Sequence, residues 1–222
     1  MKKGLLGKIL SACSLVIFMS GCTSLDYVGE DTTDSAIKVS TITTKENFVL
    51  KTVKKTDGYA DVSIGISQTP LEEILVLYIA IHNNLPDTNY KFDVSDIAVK
   101  SPKGTMSFLQ PNNFINAYAN SQAVQYSNFM NAGTALGGFA SLQNAYNQNS
   151  ASNSYINSDN SGIQSETNEL QATIKGIQNH TTTTYKFINP NSSDYFYIFM
   201  QTPDEYPITV DYKGLTYKFG GR

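Results

Sequence analysis

"EILVLYIAIHN", residues 73 to 83, is apolar on both of its alternating faces. Ile74, Val76, Tyr78 and Ala80 fall on one side, and Leu75, Leu77, Ile79 and Ile81 on the other. Successive side chains of an extended strand point to opposite faces, so this strand has to be covered twice. A buried helix is the competing reading. The β-branched and aromatic content, with turn residues close by on each flank, favours a strand. "YFYIFM", residues 195 to 200, has the same character. Two central strands are therefore expected, each with a core on one face and a different cover on the other.

Shorter strands surround them. "AIKVSTIT" (36–43) and "NFVLKTV" (47–53) are rich in β-branched residues, with "TKE" between them. "ADVSIGIS" (60–67) alternates strictly, Val62, Ile64 and Ile66 against Ser63, Gly65 and Ser67, as a half-buried antiparallel strand does. "YKFDVSDIAVKS" and "GTMSFL" add short strands, and "HNNLPDTN" and "SPKG" supply turns. At the end, 208–212 and 215–219 form a hairpin around Lys213-Gly214, where Gly214 can take the positive φ of a tight turn. Many short strands with regular turns indicate a mainly β fold, an antiparallel Ig-like β-sandwich. The cysteine and tryptophan marks of antibody domains are missing from it.

Residues 111 to 180 break the pattern. Asp159 is the one charged residue between Pro111 and Gln164, and Asn, Gln, Ser, Ala and Gly dominate. Pro111 suits the first turn of a helix. Phe114, Tyr118 and Gln122 then recur at one-turn spacing, as do Phe129, Ala132, Leu136 and Ala140, with a break at Gly137-Gly138. After the loop "SASNSYINSDNSG", "SETNELQATIKGIQ" reads as a second helix capped by Ser165, with Glu166 and Glu169 in its first turn and Leu170, Ile174 and Ile177 on one face. The plain expectation is a helical hairpin, inserted at 111–180 in a sandwich of residues 36–222, that covers the outer face of the doubly apolar strands. The sharper alternatives are an oligomer contact through Gly133 and Gly137, or disorder or self-association of the Asn/Gln-rich tract.

The N-terminus has a different grammar. Lys2, Lys3 and Lys8 precede a short apolar run that ends at Met19. The run is too short for a bilayer, which needs about 20 such residues, and the layout is that of a secretory signal peptide over 1–21. Met19-Ser20-Gly21-Cys22 resembles the lipobox of bacterial lipoproteins, with methionine where leucine is usual. The resemblance implies cleavage after Gly21, acyl chains (diacylglycerol and palmitate-type) on Cys22, and a cell-envelope location. With Thr23 rather than aspartate after the cysteine, it implies the outer membrane, facing the periplasm or the surface, more than the inner membrane. Cys13 would leave with the signal peptide, so Cys22 would remain as a lone thiol that acylation protects. Residues 22–35 are polar, acidic and aperiodic, and read as a flexible tether.

Little in the chain points to catalysis. About 200 residues would remain after cleavage, enough for one core with an insertion. Losing three lysines would take the net charge from −3 to about −6, which excludes a basic footprint for nucleic acid. His82 and His180 lack metal-ligand spacing, and neither a G-x-S-x-G elbow nor a phosphate loop is present. The carboxylates Glu72-Glu73, Asp93 with Asp96, and Asp204-Glu205 are explained by turns and edges. No cofactor and no metal are expected. There is no Trp, but there are 14 Tyr and 11 Phe. Tyr195, Tyr197 and Phe199 share one face, and Tyr185, Phe187, Tyr217 and Phe219 alternate in their own strands. These are partner-binding candidates if exposed and core if covered. The expected function is a non-catalytic binding or assembly module, held at a membrane by Cys22, with an envelope protein as partner. A carbohydrate-binding adhesin and a glycan hydrolase are the alternatives.

Overall fold

The computed structural model describes residues 24–29, 37–71, 73–129 and 161–220. Two antiparallel sheets face each other across one core. The larger sheet has the strand order β2 (Lys38–Thr43), β3 (Val49–Thr56), β4 (Ala60–Gln68), β5 (Ile74–Asn83), β11 (Ser193–Gln201), β9 (Phe108–Leu109). The smaller runs β1 (Asp26–Tyr27), β13 (Leu215–Gly220), β12 (Ile208–Tyr212), β7 (Ile97–Ser101), β8 (Gly104–Thr105). A two-stranded ribbon of β6 (Tyr90–Asp93) and β10 (Tyr185–Ile188) completes the strands. The expected sandwich is what forms.

The alternation decides which side chain goes where. Leu75, Leu77, Ile79 and Ile81 of β5 and Phe196, Ile198 and Met200 of β11 point into the space between the sheets. There they join Val62, Ile64 and Ile66 of β4 and Val210, Tyr212, Tyr217 and Phe219 of the opposite sheet. The other faces of β5 and β11 carry Val76, Tyr78, Tyr197 and Phe199 into a second buried cluster. Two helices cover that cluster, α1 (Pro111–Phe129) and α2 (Ser161–His180). Phe114, Ile115 and Tyr118 of α1 and Ile177 of α2 are buried on it, and Phe114 stacks on Phe199 at 3.9 Å between ring centres. Burial stabilises by about 1.5–3 kcal/mol per large apolar side chain.

Local signals behave as their chemistry requires. Lys213 and Gly214 both take positive φ, 46° and 83°, the conformation of a two-residue hairpin turn whose twist matches its strands. The second helix starts at Ser161, so Ser165 lies within it rather than capping it, and Glu166 and Glu169 fall beyond the first turn. Nothing in "SGIQ" stops a helix, and a glycine costs least in an end turn. The Gly133–Gly137 spacing, the Gly137-Gly138 break and the loop up to Asn160 lie outside the described residues, as do the side chains of Gln122 and Leu170.

One expectation is overturned. Ser24–Gly29, read as part of a tether over 22–35, is built into both sheets. β3 and β4 pair from Thr56↔Asp61 to Thr52↔Gly65, and beyond that point Ser24 sits in the fork. It bridges Ser67, its Oγ accepts the Lys51 N–H at 2.7 Å, and Leu25 N–H donates to the Ile66 carbonyl at 2.9 Å. Asp26 and Tyr27 then cross to pair with Gly220 and Phe219, and Asp26 ion-pairs with Lys51. The physical reason is Leu25-x-Tyr27, whose apolar side chains both turn inward: Leu25 is buried in the core and Tyr27 packs edge-on to Phe219.

Leu25→Ala is therefore expected to destabilise the domain by about 2–4 kcal/mol, the usual cost of emptying a buried leucine site. Urea unfolding of the purified domain measures it. A cost below about 0.5 kcal/mol, the range of neutral surface changes, would show that the segment does not carry the core.

Candidate functional site

Three regions hold the residues whose chemistry could serve a function. The first is the face of Tyr195, Tyr197 and Phe199, a partner-binding candidate if exposed and core if covered. It is covered: Tyr197 and Phe199 are fully buried beneath the helices and Phe48. The outer side of a doubly apolar strand cannot be left in water, and the insertion covers it. Tyr195 alone of the three reaches the surface, at the floor of an open cleft of about 430 Å3.

That cleft is the second region. It lies between the turn Lys45–Asn47 and Ala172, Thr173, Gly176 and His180 of α2. The turn closes with the Asn47 N–H donating to the Thr44 carbonyl at 3.1 Å, and Asn47 takes the left-handed φ of 65° that asparagine tolerates. It lays Glu46 over the outer face of the sheet, where the side chain is 5 % exposed. The Tyr197 hydroxyl donates to Glu46 Oε2 at 2.5 Å, and the Tyr195 hydroxyl to Oε1 at 3.4 Å. Burial, and then the neighbouring Glu46 carboxyl, push the Tyr197 phenol up and raise that of Tyr195 to about 12. Both phenols are therefore held as donors. Gly176 lets the helix close over this clamp, since a Cβ there would stand 2.6 Å from Glu46 Oε1. His180 stacks on Tyr195 at 3.8 Å, and its Nδ1 lies 3.2 Å from the Tyr195 carbonyl. Glu46, the two tyrosine hydroxyls and His180 Nδ1 thus find partners inside the protein, and the cluster ties the 45–47 turn to β11.

The third region is the outer face of the β6–β10 ribbon. Its register pairs Tyr185 with Asp93 and Phe187 with Lys91, so these four side chains share a face. The opposite face belongs to the core: Phe92 stacks on Phe196 at 4.2 Å, and Tyr90 and Ile188 are buried. Alternation then forces Tyr185 and Phe187 outward, where they are 54 % and 58 % exposed. Their rings meet edge to face, 5.6 Å apart and 70° from parallel, and form a notch. Lys91 Nζ lies 4.9 Å from the Tyr185 ring and 2.7 Å from Asp93 Oδ2. Asp93 Oδ1 also accepts the Ser95 N–H at 3.0 Å and the Ser95 hydroxyl at 2.7 Å. The Lys91 hydrogen bond, then those from Ser95, hold the Asp93 carboxyl down at about 2, and the same pair raises the Lys91 ammonium. Buried Asn83 fixes the ribbon to the sandwich, its amide donating to the carbonyls of Thr88 at 2.8 Å and Ile188 at 3.0 Å.

The remaining candidates are dispersed. Asp204 ion-pairs with Lys103 at 2.7 Å, Asp96 lies 3.9 Å from Lys213, and Glu73 supplies a turn carbonyl to the Thr202 N–H. His82 Nδ1 is 2.8 Å from Ser193 Oγ. Among the described residues no three His, Cys, Asp or Glu side chains gather as a metal set, and no helix is long and apolar enough to cross a membrane. Met19, Ser20, Gly21 and Cys22 lie outside the described residues, as does Glu72. Tyr217 and Phe219 are core. The burial of Glu46 carries no sequence signal, since "TKEN" reads as an ordinary exposed turn. Comparison with protein-family models, with curated proteins and with solved structures finds no match to this chain.

Two outcomes are expected. Tyr197→Phe removes the principal donor to a buried carboxyl and should cost about 1–3 kcal/mol in urea unfolding, whereas Tyr185→Phe on the exposed ribbon should stay within about 0.5 kcal/mol. The Asp93 carboxyl should titrate at about 2 by carbon NMR and move towards the ordinary value of about 3.9 in Lys91→Ala. Because its folded value is depressed, its contribution to stability is present above the ordinary carboxylate range and is lost as pH falls through the folded value.

Proposed function

We propose that the chain is a lipid-anchored protein of the cell envelope. It acts as a non-catalytic binding or assembly module, with Cys22 as the acylated residue and the β6–β10 ribbon as the face that meets a protein partner. The observation that carries this reading is the Tyr185–Phe187 pair. Single exposed apolar residues are ordinary on a folded protein. Here two aromatic rings touch each other in solvent, with a lysine held beside them. Tyrosine is enriched in binding hot spots, and rings already packed on each other lose little side-chain entropy on docking.

The geometry favours a protein over a sugar. Rings 70° apart make a notch for an inserted side chain rather than a flat platform for a pyranose face. The hydrolase alternative gains no support, because a glycosidase needs two carboxyls facing each other across a cleft. The cleft beside α2 brings Glu46, whose oxygens are taken up by tyrosine hydroxyls.

Full-length protein with a C-terminal tag, expressed in a diderm host, tests both halves. Wild type should fractionate with membranes and incorporate a palmitate analogue. Cys22→Ala should lose both properties, and its retention in the membrane would refute the anchor. In-cell crosslinking should give wild type a discrete adduct that Tyr185→Ala/Phe187→Ala lacks at unchanged thermal stability. An adduct that survives the double substitution would place the partner elsewhere.

A further inference from the structure

We infer that the domain is seated directly on the lipid surface, by the end that carries the 69–73 turn, with the aromatic ribbon held at the far end. The inference rests on the reading of Cys22 as the lipid-bearing residue and concerns what the fold does with that anchor. The length of chain outside the described fold, and the point where it ends, carry the argument. Ser24 is locked into the fork between β3 and β4 by Ser67, Lys51 and Ile66, and Leu25 is buried beside it. Cys22 stands two residues earlier. Two residues span at most about 7 Å, so the acyl chains leave no room for a tether.

Strand direction chooses the end. Ser24 runs antiparallel to β4 at Ser67, so its N-terminal side faces Gln68 and the turn that leads into β5. At the same end the Thr202 N–H donates to the Glu73 carbonyl, which adds the 202–205 segment to that surface. The surface includes Glu73 with Asp204 and Glu205, of which the latter two lie 2.7 and 3.9 Å from Lys103 Nζ. The lipid contact is therefore imposed by the covalent anchor rather than by attraction to anionic headgroups.

The other end of β4, a strand of nine residues, lies roughly 27 Å away at the rise of an extended strand. There the 57–60 turn and the Lys213–Gly214 hairpin hold the ribbon: the Tyr90 hydroxyl donates to Asp57 at 2.7 Å, and Lys213 Nζ to the Lys91 carbonyl at 2.7 Å. The partner face is presented at a set height above the bilayer instead of sweeping the volume a flexible tether would allow.

Lipidated protein purified from membranes and placed in phosphatidylethanolamine–phosphatidylglycerol vesicles tests this. With Cys22 acylated, Glu73→Cys and Tyr59→Cys each offer one thiol for a fluorophore, at exposed positions of the two ends. A short-range quencher on the lipid headgroups should remove most of the emission at 73 and leave that at 59 unchanged. A flexible Gly/Ser insertion between Thr23 and Ser24 should abolish the difference. Equal quenching at both sites without the insertion, or stronger quenching at 59, overturns the seating while the anchor stands. Protein that does not float with vesicles overturns the Cys22 reading, and the seating with it.

Discussion

The structure depends on a central pair of strands that cannot tolerate water on either face. β5 and β11 pair over their whole lengths, from Ser193↔His82 to Gln201↔Ile74, and present large side chains on both sides. One side is satisfied by the second sheet of the sandwich. The other needs a separate cover, and the chain supplies it from two places: the helices of the 111–180 insertion and the turn between β2 and β3. The insertion therefore belongs to the core. Its unusual polarity elsewhere is compatible with that role, because only a thin stripe of each helix, such as Phe114, Ile115 and Tyr118, has to face the sheet.

The second cover forms where β3 leaves β4, and Leu50 and Phe48 there join Tyr78 and Tyr197 in the outer cluster. Ser24 and Leu25 occupy the fork and take up hydrogen bonds that β3 and β4 would otherwise make to each other. The freed end of β3 carries Phe48 onto Tyr197 at 5.3 Å and brings the Glu46 carboxyl to the Tyr197 hydroxyl. The N-terminal segment, the fork and the clamp are thus one arrangement. A perturbation at Ser24 reaches the outer cluster through the start of β3.

Period-two patterns made the sandwich legible. The double apolarity of 73–83 and 195–200 announced a third layer before any contact was known, and Phe114, Tyr118, Ile174 and Ile177 marked the helices that supply it. Lys213-Gly214 announced its turn through backbone chemistry alone. The N-terminal staple was missed because Leu25-x-Tyr27 is too short for alternation to stand out from a polar stretch. The Glu46 clamp was illegible for a deeper reason. Its burial comes from where a turn lands after the sheet splits, and no local pattern encodes that. The exposed pair was half legible. The alternation of Tyr185 and Phe187 was visible, but which side of the ribbon met the core depended on Phe92 stacking against Phe196 from another strand.

The same division of faces sorts the polar groups from the exposed aromatic ones. A catalytic site needs polar groups held away from their own partners so that a substrate can take them. In the described residues the buried polar groups are committed inward: Glu46 to tyrosines, Asn83 to the ribbon carbonyls, and the Tyr217 hydroxyl to the Val62 carbonyl at 3.1 Å. What the fold leaves outward and preorganised is apolar, the Tyr185–Phe187 notch, with its lysine held by Asp93. On that face Lys91 is paired with Asp93 beside the Tyr185 ring. The core face of the same ribbon, with Phe92 stacked on Phe196 and Tyr90 and Ile188 buried, holds the Tyr185 and Phe187 rings in place from behind.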